Sequence, residues 1–248
     1  MNDIKINILA SGSKGNCVVI SDSGHRLIID AGISYNQYLD GMSYDYYETE
    51  ALFISHEHGD HCNYLNEYLR NGVNSYIGPN FFKNIQYSVY NIFLNKYEIM
   101  ERVFTDNYEI IPIKMYHDCE NCGFKITTKS GIKILFFTDT GAIKYIDEQF
   151  DYIIGECNYI EEIIKDNYHN EKIPLVAYER IMSYHMGLED LIFFLKNQDL
   201  SITKKIISIH SSKNNSNKDI IKNELQRFGK IVEVYWLFIK STFGQLIN

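Results

Sequence analysis

Five times along this chain an apolar, β-rich run stops on a histidine or an aspartate. Asp30 closes "LIID", His56 follows "LFIS", His117 follows "IIPIKMY", Asp139 follows "ILFFT" and His210 follows "IISI". Side chains at strand ends are held by the sheet behind them, so several such ends at one sheet edge are a good way to fix a ligand set. The pattern calls for a strand-rich core with these ends on a common rim.

The remaining sequence fits that requirement. Strands are predicted over 4–10, 17–22, 26–30, 51–55, "SYIG", 98–104, 109–116, 123–129, 132–137, "DYIIGEC" and "KKIISIH", from β-rich runs bounded by turn residues. Helices are predicted at "SYNQYLDGM", "CNYLNEYLRNG", "PNFFKNIQYSVYNIF" (opened by Pro79), 158–169, 174–183, 187–197 and "NKDIIKNELQRFG", from apolar spacing, Pro starts and Gly stops. Strands cluster in both halves with helices between them. The expectation is an α/β (α+β) fold of two sheets packed face to face with helices outside, as one domain over 1–248.

Composition narrows the function classes. Hydrophobic residues make up 45% of 248, enough for a packed core and against disorder. No apolar run approaches the ~20 residues of a membrane span. No signal pattern is seen at the N-terminus, and the five cysteines (17, 62, 119, 122, 157) are odd in number and scattered, which fits reduced thiols. The expected location is the cytoplasm, with no membrane partner. A net charge of −8 speaks against a general nucleic-acid coat, yet eight Lys and one Arg between Lys196 and Lys240 face only Asp199, Asp219, Glu224 and Glu233. That basic segment could meet an anionic substrate or be a solvated helix face.

The densest cluster is "HEHGDH", residues 56–61. His56 and His58, at i and i+2 of an extended segment, point the same way and can share one cation. Asp60 and His61, where the chain turns into a helix, can face another. Imidazole with carboxylate suits zinc, with manganese or iron as alternatives. A solvated loop is the bland reading. Four donors in six residues, with three more at later strand ends, outweigh it.

The order of "LASGSKGNCVVI…LIIDAG", "SHEHGDH", "TDTG", "GECNY", "RIMSYHMGLEDL" and "IHSSKNN" resembles the YycJ/WalJ-like branch of the metallo-β-lactamase fold, related to PhnP-type phosphodiesterases and ribonuclease Z. The resemblance implies a four-layer αββα sandwich with two mixed sheets and two divalent metal ions, zinc with manganese as the alternative. It implies one metal on His56, His58 and His117, another on Asp60, His61 and His210, and Asp139 between them. Asp30 would hold a ligand loop or imidazole by accepting a hydrogen bond. His185 would be the general acid, oriented by Glu189 or Asp190, with a capping or core histidine as the alternative.

Ser211, Ser212, Lys213, Asn214 and Asn215 precede a helix and offer a phosphate cradle, or else an ordinary capped loop. "SGSKGN" lets backbone approach a metal or phosphate, or is a plain glycine hairpin. Two departures stand out: Cys119 and Cys122 in "HDCENCGF", and Met186-Gly187 where relatives tend to have Leu-Ser. A zinc knuckle on the cysteines lacks a second pair.

The implied activity is phosphodiester hydrolysis, most of all an exonuclease-like nuclease on DNA or RNA, with a metal-bridging hydroxide as nucleophile. Asp60 and Asp139 count among the catalytic residues. The alternatives are a thioesterase or lactonase of the same fold and a small-molecule (cyclic nucleotide-like) phosphodiesterase. Nucleic acid is the expected partner, and a homodimer is left open.

Overall fold

The computed structural model describes residues 4–45, 48–81 and 89–236. The chain opens with an antiparallel meander of β1 (Lys5–Ala10), β2 (Cys17–Asp22) and β3 (His25–Ile29). Its second turn is closed by Ser23 and Gly24 with φ of 54° and 90°, the positive-φ geometry that matches strand twist in a two-residue hairpin. Then come α1 (Tyr35–Gly41), β4 (Glu48–Phe53), α2 (Gly59–Cys62), α3 (Leu65–Arg70), β5 (Ser75–Ile77) and β6 (Leu94–Lys96). Ser34 and Gln37 form a capping box that starts α1. Strands β1 to β6 lie side by side in sequence order, antiparallel up to β3 and parallel beyond it.

The second sheet takes β7 (Val103–Phe104), β8 (Tyr108–Met115), β9 (Asn121–Thr128), β10 (Lys133–Phe137), β11 (Tyr152–Glu156), β12 (Lys205–Ile209) and β13 (Ile231–Val234), again in sequence order. It is antiparallel from β7 to β10 and parallel from β10 to β13. Helices α4 (Glu161–His169), α5 (Leu175–Tyr184), α6 (Leu188–Asn197) and α7 (Lys218–Gln226) occupy its crossovers.

Three apolar layers make this a four-layer αββα stack. The central one interleaves Val18, Ile20, Leu27, Ile29 and Phe53 of the first sheet with Ile110, Phe124, Phe136, Ile154 and Ile207 of the second. Outside the first sheet, Val19, Ile28 and Leu52 pack against Tyr38 of α1 and Leu65, Tyr68 and Leu69 of α3. Outside the second, Leu135, Phe137, Ile153 and Ile206 pack against Leu188, Leu191 and Leu195 of α6 and Ile221 and Leu225 of α7. Strands such as β2 are buried along their whole length because both faces are covered, so they read as continuous apolar runs instead of alternating ones. Each buried aliphatic side chain contributes about 1.5–3 kcal/mol.

The structure departs from the sequence reading in three places. The helix expected over "CNYLNEYLRNG" is two short pieces, α2 and α3. Of the strand expected over 98–104 only β7 forms, because the chain turns at Ile99–Met100, where Met100 takes a φ of 68°. The helix expected from Pro79 falls largely on 82–88, outside the described residues, and 89–93 form a 3-10 turn. Among the described residues, no helix is long and apolar enough to cross a membrane.

Candidate metal centre

The rim at the C-terminal ends of β3, β4, β8, β10, β11 and β12 carries Asp30, His56, His117, Asp139, Glu156 and His210. Three of these residues leave their strands through left-handed backbone: φ is 66° at Asp30, 48° at Asp139 and 54° at His210. Aspartate and histidine tolerate this conformation better than most residues, and here it swings the side chain off the strand's alternation. The kinks are tied down locally. Asn121 donates to the Thr138 and Asp139 carbonyls (2.8 and 2.6 Å), and Asn158 donates to the His210 carbonyl (2.8 Å). The His210 N–H donates to Ser11 Oγ (2.6 Å).

His56, His58 and His117 stand edge to face around a common point. Their ring centroids are 4.7, 4.9 and 5.1 Å apart, with interplanar angles of 77°, 71° and 76°. Each ring has its outward nitrogen occupied. Ser55 Oγ gives its proton to Asp30 Oδ2 (3.1 Å) and so accepts from His56 Nδ1 (3.0 Å). His58 Nε2 lies 3.2 Å from Asp118 Oδ1, and His117 Nδ1 donates to the Tyr184 carbonyl (3.3 Å). The inward nitrogens are His58 Nδ1 and His117 Nε2, 3.2 Å apart, and His56 Nε2, which is buried with no hydrogen-bond partner among the described residues. Burial pushes His56 down to about 4, so the ring is neutral, as ligation requires.

The second cluster is Asp60, His61, Asp139 and His210. His61 Nδ1 donates to Asp30 Oδ2 (2.7 Å) while its Nε2 meets Asp139 Oδ2 at 2.8 Å. His56 Nε2 lies 3.3 Å from the same oxygen. His210 Nε2 is a further buried nitrogen with no hydrogen-bond partner among the described residues, 3.9 Å from Asp60 Oδ2. Burial would raise the Asp139 carboxyl, but His210 and His61 hold it well below the usual range. Burial likewise opposes charge on His61, yet Asp30 and Asp139 lift it well above an ordinary histidine. Orphaned nitrogens beside acceptor-only carboxylates form a site for divalent metal, which would take the positive charge that His61 otherwise carries.

The loop 11–16 packs against this cluster at backbone distance. Asn16 N donates to the Asp60 carbonyl (2.8 Å) and Gly32 N to the Asn16 carbonyl (2.9 Å). A Cβ on Gly32 would sit 1.9 Å from Asp60 O, so only glycine fits there. Asn16 Nδ2 also reaches Asp60 Oδ2 (3.2 Å) and His61 Nε2 (2.9 Å).

His185 caps the C-terminus of α5, and its ring lines the cleft over both clusters. Its partner corrects the expectation for Glu189 and Asp190, which stand exposed in the first turn of α6. Instead Glu156, fully buried at the end of β11, accepts from His185 Nδ1 at 2.7 Å. The same carboxylate accepts from Thr140 N (2.9 Å), Met186 N (3.4 Å) and His210 Nδ1 (2.9 Å). Burial lowers His185, but Glu156 and Asp139 outweigh it and lift the imidazole to about 9.

The cleft has a volume of about 500 Å³, and Ser211, Ser212, Lys213 and Asn214 line it. Asn215 does not: it is buried, its Oδ1 accepts from Asn167 (2.9 Å), and it braces the loop. The helix N-terminus expected to cradle phosphate is closed by Asn217, which accepts from Asp219 N and Ile220 N (3.0 and 3.2 Å). Lys204 precedes and Lys205 begins β12, at the end opposite His210, and they pair with Asp151 (2.8 Å) and Glu233 (2.6 Å). Cleft residues missed in the sequence are Asn158, Trp236 and Arg180. Arg180 Nη2 lies 3.0 Å from Asp118 Oδ2.

The family model described as "Anti-Pycsar protein Apyc1" matches residues 10–228. The chain is similar to "Exodeoxyribonuclease WalJ" of Streptococcus pneumoniae serotype 2 (strain D39 / NCTC 7466), 28% identical over 235 residues, covering 87% of this chain and 84% of the relative. "Exodeoxyribonuclease YycJ" of Bacillus anthracis is 23% identical over 234 residues, covering 88% and 86%. Among solved structures, the metallo-β-lactamase fold protein YhfI of Bacillus subtilis superposes with a TM-score of 0.68 at 14% identity over 94% of this chain and 96% of that one. The chain has the metallo-β-lactamase fold.

Proposed function

The chain belongs to the Anti-Pycsar protein Apyc1 family, and on that premise we propose that it is a dinuclear, zinc-dependent phosphodiester hydrolase that removes nucleotides from the ends of DNA. The observation that carries the reading is the sharing of Asp139: one carboxylate oxygen lies 3.3 Å from His56 Nε2 and 2.8 Å from His61 Nε2. His56, His58 and His117 would hold one cation and Asp60, His61 and His210 the other, with Asp139 between. Two bound cations supply Lewis acidity toward phosphoryl oxygens and lower the pKa of a water for in-line attack. DNA as substrate is supported by two relatives that carry the name exodeoxyribonuclease.

The chain's own groups do the rest. Glu156 fixes Nδ1 of His185, so Nε2 is the atom left to hand a proton to the departing sugar oxygen. Asp30 and Ser55 keep the ligand rings in register, and Asn16 orients Asp60. Arg180 and Lys213 offer cationic contacts to phosphate, Ser211, Ser212 and Asn214 offer neutral donors, and Trp236 offers an apolar face for a base.

A second reading keeps the same chemistry on a small or cyclic phosphodiester. It is favoured by the net charge of −8 and by the pairing of Lys204 and Lys205 away from the cleft, since long nucleic acids are usually met by a basic track. Zinc-loaded protein should be offered end-labelled single- and double-stranded DNA, RNA, cyclic nucleotides and bis(p-nitrophenyl) phosphate. Stepwise mononucleotide release from DNA, abolished in Asp139→Ala, supports the first reading. Turnover confined to cyclic or small diesters replaces it with the second, and inertness toward all phosphodiesters refutes both.

A further inference from the structure

The metal reading leaves one donor unused. Cys119, in the departure "HDCENCGF", brings its Sγ into a group with donor atoms of His56, His58 and His117, all within 4.8 Å of one another. We propose that Cys119 is a fourth ligand of the cation held by these three histidines, making that position an N₃S site. The proposal rests on the metal reading above, and adds a ligand to it.

Three observations point the same way. First, His56 is 2% exposed and its Nε2 has no hydrogen-bond partner among the described residues, so a buried nitrogen in this group is placed to take a cation. Second, Asp139 Oδ2 sits closer to His61 (2.8 Å) than to His56 (3.3 Å), so the shared carboxylate leans toward the other cluster. The carboxylate beside the three histidines, Asp118, stands 3.2 Å from both His58 Nε2 and His117 Nε2 but is held by Arg180, and it is Cys119 that falls within the group of mutually close donors. Third, Cys119 approaches from behind. It lines a separate cavity of about 260 Å³ with Ser55, His56 and Glu57, and it does not line the cleft that holds His58, His117, Asp139 and His185. A thiolate there would bind on the side away from the cleft, and with Asp139 the cation would have to exceed four-coordination to meet substrate from the cleft side.

The chemistry of such a site follows from the donor. On coordination the S–H bond breaks, the proton leaves to solvent and the sulfur lone pair forms the bond to the metal, so no oxidant or reductant is involved. Thiolate with three imidazoles favours zinc or cobalt(II) and disfavours manganese, a preference the other cluster, with two carboxylates, does not share. The two positions should therefore differ in metal selectivity.

Cobalt(II) reads the ligand directly. The full-length protein, stripped by chelator and reloaded with cobalt(II) alone, should take up two equivalents and show a near-ultraviolet thiolate-to-cobalt charge-transfer band. Cys119→Ser should lose that band while keeping visible ligand-field absorption, and its zinc affinity at one of two sites should fall at least about tenfold. Cys122→Ser, altered at a thiol buried in the core beside Tyr97, should keep the band. Two bound cobalt ions with no band, or a band that survives in Cys119→Ser, would overturn the ligand assignment and leave the metal reading standing. No cobalt or zinc uptake at all would overturn both.

Discussion

Glu156 offers the sharpest test of the proposed proton path, because its replacement by glutamine keeps volume and changes only charge and one donor. Buried at the end of β11, the carboxylate accepts four hydrogen bonds: two from the backbone of Thr140 and Met186, two from the rings of His185 and His210. A glutamine can still accept the backbone pair through its carbonyl oxygen. Its NH₂ then faces His185 Nδ1, which must accept and give up its proton. What remains is a neutral imidazole with Nε2–H, a far weaker acid than the imidazolium. A charge-assisted hydrogen bond is worth about 1.5–3 kcal/mol, and at 1.4 kcal/mol per decade that is a loss of roughly 10- to 150-fold in turnover. The loss should be read on an oligonucleotide, whose sugar alkoxide leaves badly without a proton. On bis(p-nitrophenyl) phosphate, with a stable phenolate leaving group, Glu156→Gln should stay within a few-fold of the parent. Metal content must be measured alongside, since Glu156 also touches His210. Equal losses on both substrates with both metals retained would refute the proton path, and loss of one metal would make Glu156 a support of the metal site instead.

His185→Ala should deepen the same pattern to roughly 10²–10⁴-fold on an oligonucleotide while keeping both metals, as checked by kinetics and metal analysis; undiminished cleavage would return it to a helix-capping role. Chelator treatment should abolish activity and lower the melting temperature by linkage, and zinc should restore both; an unchanged melting curve would mean no tightly bound ion. Arg180→Ala and Lys213→Ala should raise KM for DNA and flatten its salt dependence, whereas Lys204→Ala, altered at the far end of β12, should do neither. The Glu148 carboxyl, which burial would raise, is held below its usual value by Lys125 and Lys133. A depressed carboxylate stabilises above its unfolded pKa and that contribution is lost as pH falls through the folded one, so Glu148→Gln should cost at most about 1 kcal/mol at pH 7 and nothing near pH 2, by urea melts.

Most of this centre was legible because its residues announce themselves locally. An apolar run that stops on His or Asp is visible without knowing what lies across the sheet, and so is "HEHGDH". What was missed is what depends on pairing between distant segments. Glu156 sits inside "DYIIGEC", where a lone carboxylate in a strand looks like a solvent-facing position. Only the parallel pairing of β10, β11 and β12 brings it under His185 and His210. Glu189 drew attention because it is four residues from His185 in sequence, yet the start of α6 turns it outward. The basic segment divides for the opposite reason: Lys213 lines the cleft, whereas Lys204 and Lys205 are near His210 in sequence but a strand's length away in space, and charge runs carry no information about direction along a strand.

The backbone kinks at Asp30, Asp139 and His210 explain why the rim can hold so many ionisable groups at once. A strand that ran straight on would send alternate side chains to opposite faces, and half of the donors would point into apolar packing. One left-handed residue at each end breaks that alternation at a cost of roughly 1–3 kcal/mol per site. Asn121, Asn158 and Ser11 offset the strain by binding the very carbonyls and amide that the kinks displace. The polar loops are thus stabilised by amides and a hydroxyl outside the proposed ligand set. It follows that Asn121→Ala should loosen Asp139 and weaken metal binding although its side chain ligates nothing. A variant that melts lower yet binds zinc as tightly as the parent would show that the kink at Asp139 holds without the clamp.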